Sequence, residues 1–476
     1  MDSDLSDLTL DCLIHVFSFL TDNDLINASG VSKRWYEAAE TPWLWRQMCL
    51  HRWSFCNISR CSSENGKRTW KSYYLQRSSL EHKMKTGRSC TDYTCKSLRG
   101  HTGRVVGLAY LQENRHDSDN WERPPIVCSA SSDGTVRAWN VQQGVQLWSS
   151  PVQSPLSSIV TDPRREFVFT SDTSGIIKAW DGCTGQEVAA FPTAVSKCKL
   201  LLFSADDQSS LFVGTSSGAL CMLTVPSLSL VWRQVLFQAF NIDILVSSPD
   251  KKWILAASTE GADCHPQVFC SQSLRSVTED DPPLGQSLPI SCCLAAVFLA
   301  SEPPRVAVLH GDVYGHQTDK TISVFEITIK KSKYKQEVEV QQVETFPLGL
   351  TTWHADVHLQ ARGAATFVVA AGNHLRVYTL KGALLATFED HTEAIASFCV
   401  DSFRVVTASR DLSLRVLTWK KEHHAGLTLE SRFHLLGGSH TRAWGFTHVI
   451  CDYTSIVASV EARDEKDVLK AYSFNA

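Results

Sequence analysis

Residues 8–20 carry apolar side chains almost all the way round a helix. In Leu10-Asp11-Cys12-Leu13-Ile14-His15-Val16-Phe17-Ser18-Phe19-Leu20 only Asp11, His15 and Ser18 are polar, and their spacings of four and three place them on one narrow stripe. A helix of this kind needs apolar neighbours on more than one side. The following residues supply one side. Asp22 or Asn23 can cap a second helix bearing Leu25, Ile26 and Val31, with Trp35 and Tyr36 after it, and Pro42 opens a short Trp43-Leu44-Trp45 segment. A unit of about 45 residues buries too small a fraction of its surface to cover the rest. An outside partner is therefore expected on the apolar positions Leu8, Leu13, Ile14, Val16, Phe17, Leu20, Leu25, Val31 and Trp35.

The helical period persists through a connector, where Trp70, Tyr73, Tyr74 and Arg77 recur at helical spacing. The segment turns basic at Arg77, Lys83, Lys85 and Arg88, and Gly87 breaks it. From Ser97 onward the pattern changes to short alternating runs in repeats of about 40 residues. The clearest repeat begins Leu98-Arg99-Gly100-His101, continues through Val105 to Tyr110, and closes with Ile126 to Asn140. It resembles a WD repeat. Its residue types suit one hydrogen-bonded chain from His101 through a strand serine, Ser129 or Ser131, to Asp133 and Trp139, which would staple the strands together. Later repeats keep the rhythm and lose parts of the signature. The second retains Trp180 but has Ser174 where the aspartate belongs, and the seventh retains His391 and Asp411 but has Leu417 for the tryptophan.

Eight such units are countable, or seven if a central one is an insertion, which predicts an all-β propeller. A ring of this kind must close on itself or leave strand edges unpaired. Tyr93 to Leu98 is expected to supply the outer strand of the blade completed by Val468 to Phe474. Charge and proline content mark residues 112–125, 278–289 and 330–342 as surface loops.

Composition adds mostly exclusions. The chain has 476 residues, 43% of them hydrophobic, and a formal net charge of −4, so no general attraction to nucleic acid or anionic membrane is expected. Asp2, Asp4 and Asp7 stand where a secretory signal would carry basic residues, and no apolar run approaches the ~20 residues of a membrane helix. The 16 cysteines include no Cys-x-x-Cys pair, which argues against zinc ligation and a disulfide framework and for a reduced intracellular compartment, cytoplasmic or nuclear. His310-Gly311-Asp312-Val313-Tyr314-Gly315-His316 reads as a strand-connecting turn, with too few ligands for a metal site. With no nucleophile elbow and no phosphate loop, neither catalytic residues nor cofactors are expected.

The N-terminal residues resemble an F-box. The resemblance rests on Leu8-Thr9-Leu10-Asp11, the run ending Phe17-Ser18-Phe19-Leu20, Asp24-Leu25, Val31-Ser32-Lys33-Arg34-Trp35 and Leu44-Trp45-Arg46, with Thr9 replacing the usual proline. With the repeats, nearly the whole chain is similar to the F-box/WD-repeat family. The division expected is an F-box at 1–50, a helical linker at 51–89 and a WD-repeat propeller at 90–476. In that family a helix like Trp70-Lys71-Ser72-Tyr73-Tyr74, ending in a Gly87-Arg88 pair, acts as a rigid spacer. The resemblance implies a non-catalytic substrate receptor of a Skp-cullin-F-box ubiquitin ligase. The F-box would bind the Skp adaptor, and through it cullin and a RING subunit, while the propeller binds a protein substrate. The alternative is a propeller scaffold with no ligase role.

Family members that read phosphorylated substrates place arginines around the central channel, where guanidinium groups match phosphate oxygens. Carried over by position, only Arg410, just before Asp411, matches; Ser132, Val106 and Ala396 fill the other places. Arg104 and Arg442 lie nearby on the same loops. The substrate-face candidates are thus Arg410, Arg104 and Arg442, and a dense phosphate-reading cluster is not expected.

Overall fold

A computed structural model describes residues 8–52, 69–86, 93–112, 124–162, 166–205, 208–261, 264–275, 283–311, 320–331, 336–349, 356–401, 403–422, 426–438, 441–452 and 454–474. They fall into two compact units, one helical and one a propeller of four-stranded sheets.

The helical unit begins with α1 (Leu10–Phe17), shorter than the apolar run that announces it. Thr9, extended in backbone, caps α1 by accepting from the Cys12 amide at 3.3 Å. The residue that departs from the family's proline thus satisfies an otherwise orphaned amide. The cap of α2 (Asp22–Ser29) is neither Asp22 nor Asn23 but Thr21, whose hydroxyl accepts from the Asp24 amide and donates to the Asp24 carboxylate. Ser32 caps α3 (Lys33–Ala39) in the same way. Pro42 opens an 11-residue helix, α4 (Pro42–Arg52), longer than the short segment the sequence suggests, and α5 (Trp70–Thr86) follows. Gly87 and Arg88 lie outside the described residues.

The unit's core joins Leu13 and Phe17 of α1 to Leu25, Ala38, Leu44, Trp45, Trp70 and Tyr74. Trp45 Nε1 donates to the Ala39 carbonyl at 2.7 Å, so this fully buried tryptophan has no unpaired polar atom in its side chain. Arg52 ties α4 to α5, donating to Tyr74 Oη at 2.9 Å and to Glu81 at 3.2 Å.

The propeller has eight blades. Their innermost strands are Val105–Gln112, Leu156–Asp162, Cys198–Ala205, Ile244–Ser247, Cys293–Leu299, Val357–Arg362, Ile395–Val400 and Ala443–Cys451. Thr94–Leu98 closes the ring as fourth strand of blade 8, pairing antiparallel with Val468–Ser473 from Thr94↔Ser473 to Leu98↔Leu469. Apolar clusters lie between neighbouring blades: Val105, Val127 and Trp139 of blade 1 pack with Val457, Leu469 and Ala471 of blade 8. Burying such inter-blade surface is what holds the ring together.

Two expected loops are partly strand. Residues 330–342 join a long hairpin in blade 5, Thr321–Lys331 with Gln336–Pro347. Its charged residues alternate with the buried Val338 and half-buried Val340, a period of two that raw charge content hides. Within residues 278–289, Gly285–Ser287 forms the outer strand of blade 4 after a short helix, α6 (Ser271–Arg275).

Candidate protein-interaction sites

In the helical unit, burial divides the residues proposed to meet a partner. Leu13, Phe17 and Leu25 are 3%, 3% and 0% exposed and belong to the unit's own core, so no partner reaches them while the unit is folded. Leu8, Ile14, Leu20 and Trp35 are half-buried against that core, with Trp35 edge-on to Phe17 at 5.3 Å. Val16 and Val31 are exposed. Sequence reasoning missed Leu10, Phe19, Ile26, Tyr36 and Trp43, all exposed apolar or aromatic side chains, with Phe19 at 78% the most open. The signal was present in the same apolar run, but helical position alone does not say which side the neighbouring helices take. So much exposed apolar surface on so small a unit marks a protein-interaction site.

In the propeller, the staple of blade 1 is complete. His101 Nδ1 lies 3.0 Å from Asp133 and its Nε2 2.7 Å from Ser129 Oγ, which also accepts from Trp139 Nε1 at 2.8 Å. Because a carboxylate only accepts, His101 Nδ1 donates to Asp133. Blade 7 repeats the pattern with His391, Asp411 and Thr407, and Leu417 fills the tryptophan's place in the core. In blade 2, Trp180 Nε1 donates to Thr170 Oγ1 at 2.9 Å. There Asp172, at the end of the preceding strand, accepts from the Ser174 hydroxyl and the Ser174 and Ile176 amides. Burial alone would raise Asp133 and Asp411. Hydrogen bonds from His101 and Thr135, and from His391 and Ser413, outweigh it and hold both well below the usual carboxylate range. Apart from the exposed Ser174, these side chains are largely buried braces that hold the strands together.

A cavity of about 620 Å³ is lined by residues of blades 1, 6, 7 and 8. Arg104 and Arg410 both reach it, and both are paired to one carboxylate: Arg104 Nη1 to Glu461 Oε1 and Arg410 Nη1 to Glu461 Oε2. Glu461 is nearly buried between them. Gly445 sits opposite Glu461 in the sheet at φ +144°, and a Cβ there would strike the Arg410 backbone. Glycine is what lets blade 8 approach Arg410 this closely. Arg442 is exposed outside the cavity lining, its carbonyl accepting from the Arg463 amide. The Arg463 guanidinium lies 4.5 Å over the exposed ring of Trp444, a cation–π contact. The structure thus joins two of the three candidate arginines and leaves the third apart. It adds Glu461, Trp444 and Arg463, which sequence reasoning missed.

Deeper in, His358 and His448 line the cavity. Burial pushes both downward from the ordinary histidine value; Asp356 opposes the shift at His358, and Arg410 adds to it at His448. Asp467 is raised by burial although it accepts from the Val105 and Ala462 amides. His310, at the strand end of the turn weighed as a metal site, is 2.9 Å from Ser323 Oγ, and residues 312–319 lie outside the described set. No cluster of potential metal ligands occurs among the described residues. Nor is any described helix long and apolar enough to cross a membrane.

The sequence profile of the F-box-like family matches residues 10–51, and that of the WD domain, G-beta repeat, matches residues 93–140. The chain is 31% identical to F-box/WD repeat-containing protein 12 of Homo sapiens over 484 aligned residues, covering 100% of both chains. The chain belongs to the F-box/WD repeat family. F-box/WD repeat-containing protein 15 of Mus musculus is 25% identical and covers 98% of each chain. Among solved structures, the computationally designed Ika8 protein superposes with a TM-score of 0.55 over 79% of this chain and 98% of its own, at 18% identity. That likeness speaks to the fold alone. As an F-box/WD repeat protein the chain is consistent with a substrate-receptor role, and its F-box implies binding to the Skp adaptor.

Proposed function

We propose that this protein is the substrate-recognition subunit of a Skp-cullin-F-box ubiquitin ligase. It performs no chemistry itself: the F-box at 1–50 docks on the Skp adaptor, a linker at 51–89 follows, and the propeller at 90–476 holds the protein to be ubiquitylated. The observation that carries this reading is the pairing, in one chain, of an F-box-like unit with uncovered apolar side chains and a propeller whose channel opens between charged residues. Adaptor contact falls to Val16 and Val31 together with Leu10, Phe19 and Ile26, whose exposed apolar area supplies the association energy. Substrate contact falls to the cavity at Arg104, Arg410 and Glu461, with the exposed Trp444, outside the cavity lining, as an aromatic anchor.

Purification of the full-length chain from cells tests the proposal. Cullin and the Skp adaptor should accompany it and should be lost from a chain lacking residues 1–50. If neither chain brings down cullin, the ligase reading fails and a propeller scaffold replaces it.

A further inference from the structure

The innermost strands of blades 7 and 8 carry a pair of thiols at their seam. Cys399 Sγ lies 2.9 Å from Cys451 Sγ, inside ordinary sulfur contact and approaching the roughly 2.05 Å of a disulfide. Both residues are half-buried. The backbone on either side is fixed. Gln360 of blade 6 donates to the Phe398 carbonyl at 2.7 Å and accepts from the Val400 amide at 2.9 Å, bracketing Cys399. Below the pair, the buried Arg404 holds Asp401 at 3.2 Å and donates to the Asp452 and Ser455 carbonyls. The two sulfurs need to approach by only about 0.9 Å to bond.

We propose that Cys399 and Cys451 are a peroxide-oxidisable dithiol that staples blade 7 to blade 8. Hydrogen peroxide oxidises the Cys399 thiol to a sulfenic acid, transferring one oxygen and releasing one water. Cys451 sulfur then attacks the Cys399 sulfur, a second water leaves with the hydroxyl, and the disulfide closes. The two blades joined are those that bring Arg410 and Glu461 together, so oxidation fixes one wall of the channel cavity.

Treating the full-length chain with hydrogen peroxide, blocking with N-ethylmaleimide and mapping tryptic peptides without reduction tests this. Each thiol lies in a peptide with no other cysteine, residues 382–404 and 443–463. The two should be recovered cross-linked, two hydrogens lighter than their sum, at doses that oxidise the exposed Cys12 and Cys183. Dithiothreitol should separate them. The melting temperature should rise on oxidation, and Cys451→Ser should abolish the rise and drive Cys399 to sulfinic acid. Recovery of both as N-ethylmaleimide adducts, or of Cys399 as sulfinic acid in the unaltered chain, at those doses would overturn the proposal whether or not the variant folds.

Discussion

Asp133 and Asp411 each accept from a histidine, a hydroxyl and two amides. Removing such a buried, charge-assisted set costs about 1.5–3 kcal/mol per site. Because both carboxylates titrate lower in the folded chain than in the unfolded one, their stabilisation is complete above the unfolded value of about 3.9. It is lost as pH falls below that toward the folded values. An Asp133→Asn, Asp411→Asn variant should melt well below the unaltered protein at pH 7, and the two melting curves should converge as pH falls below about 4. A gap that stays constant with pH would show that charge is not what the carboxylates contribute. These braces were legible in the sequence because their parts recur at fixed offsets within one repeat. Glu461 was not: it meets Arg410 across 51 positions and Arg104 across 357, and only ring closure brings those three together.

At the scale of elements, α1 shows how far an apolar pattern can be read. Its helical character and its excess of apolar surface are visible in the residues. The division between core and partner is not, because the neighbouring helices decide it by burying Leu13 and Phe17 in a shared core. Substitutions should separate the two roles. Phe17→Ala empties a core position and should destabilise the helical unit by about 3–5 kcal/mol. Val16→Glu with Phe19→Glu changes exposed positions and should alter stability by about 0.5 kcal/mol or less per site, while abolishing capture of the Skp adaptor. Adaptor binding that survives the double glutamate substitution in a normally folded protein would move the docking site off α1. The same logic explains the blade 5 hairpin, whose lysines and glutamates advertised a loop while their alternation with Val338 and Val340 made a strand.

For the molecule as a whole, ring closure by Thr94–Leu98 was readable because an open propeller leaves an edge that the sequence must cover. What the ring holds is written less plainly. A dianionic phosphate is read well by several unpaired arginines, and this channel mouth offers two that already share Glu461. A phosphate arriving there must displace a nearly buried carboxylate tethered in place, and it gains at most the two guanidinium groups that carboxylate gives up. Repulsion between phosphate and Glu461 adds to the cost, since like charges a few ångströms apart in a partly desolvated site interact strongly. The expected substrate contacts are therefore apolar or singly charged, with Trp444 and the cavity wall contributing more than the arginines. Phosphatase treatment of a cell lysate before capture on the full-length chain should leave most bound proteins in place, and Arg410→Ala should weaken their capture only slightly. Loss of most bound proteins after phosphatase, together with loss of capture by Arg410→Ala, would instead mean that phosphate displaces Glu461 and that the arginine pair is a reader held closed until its ligand arrives.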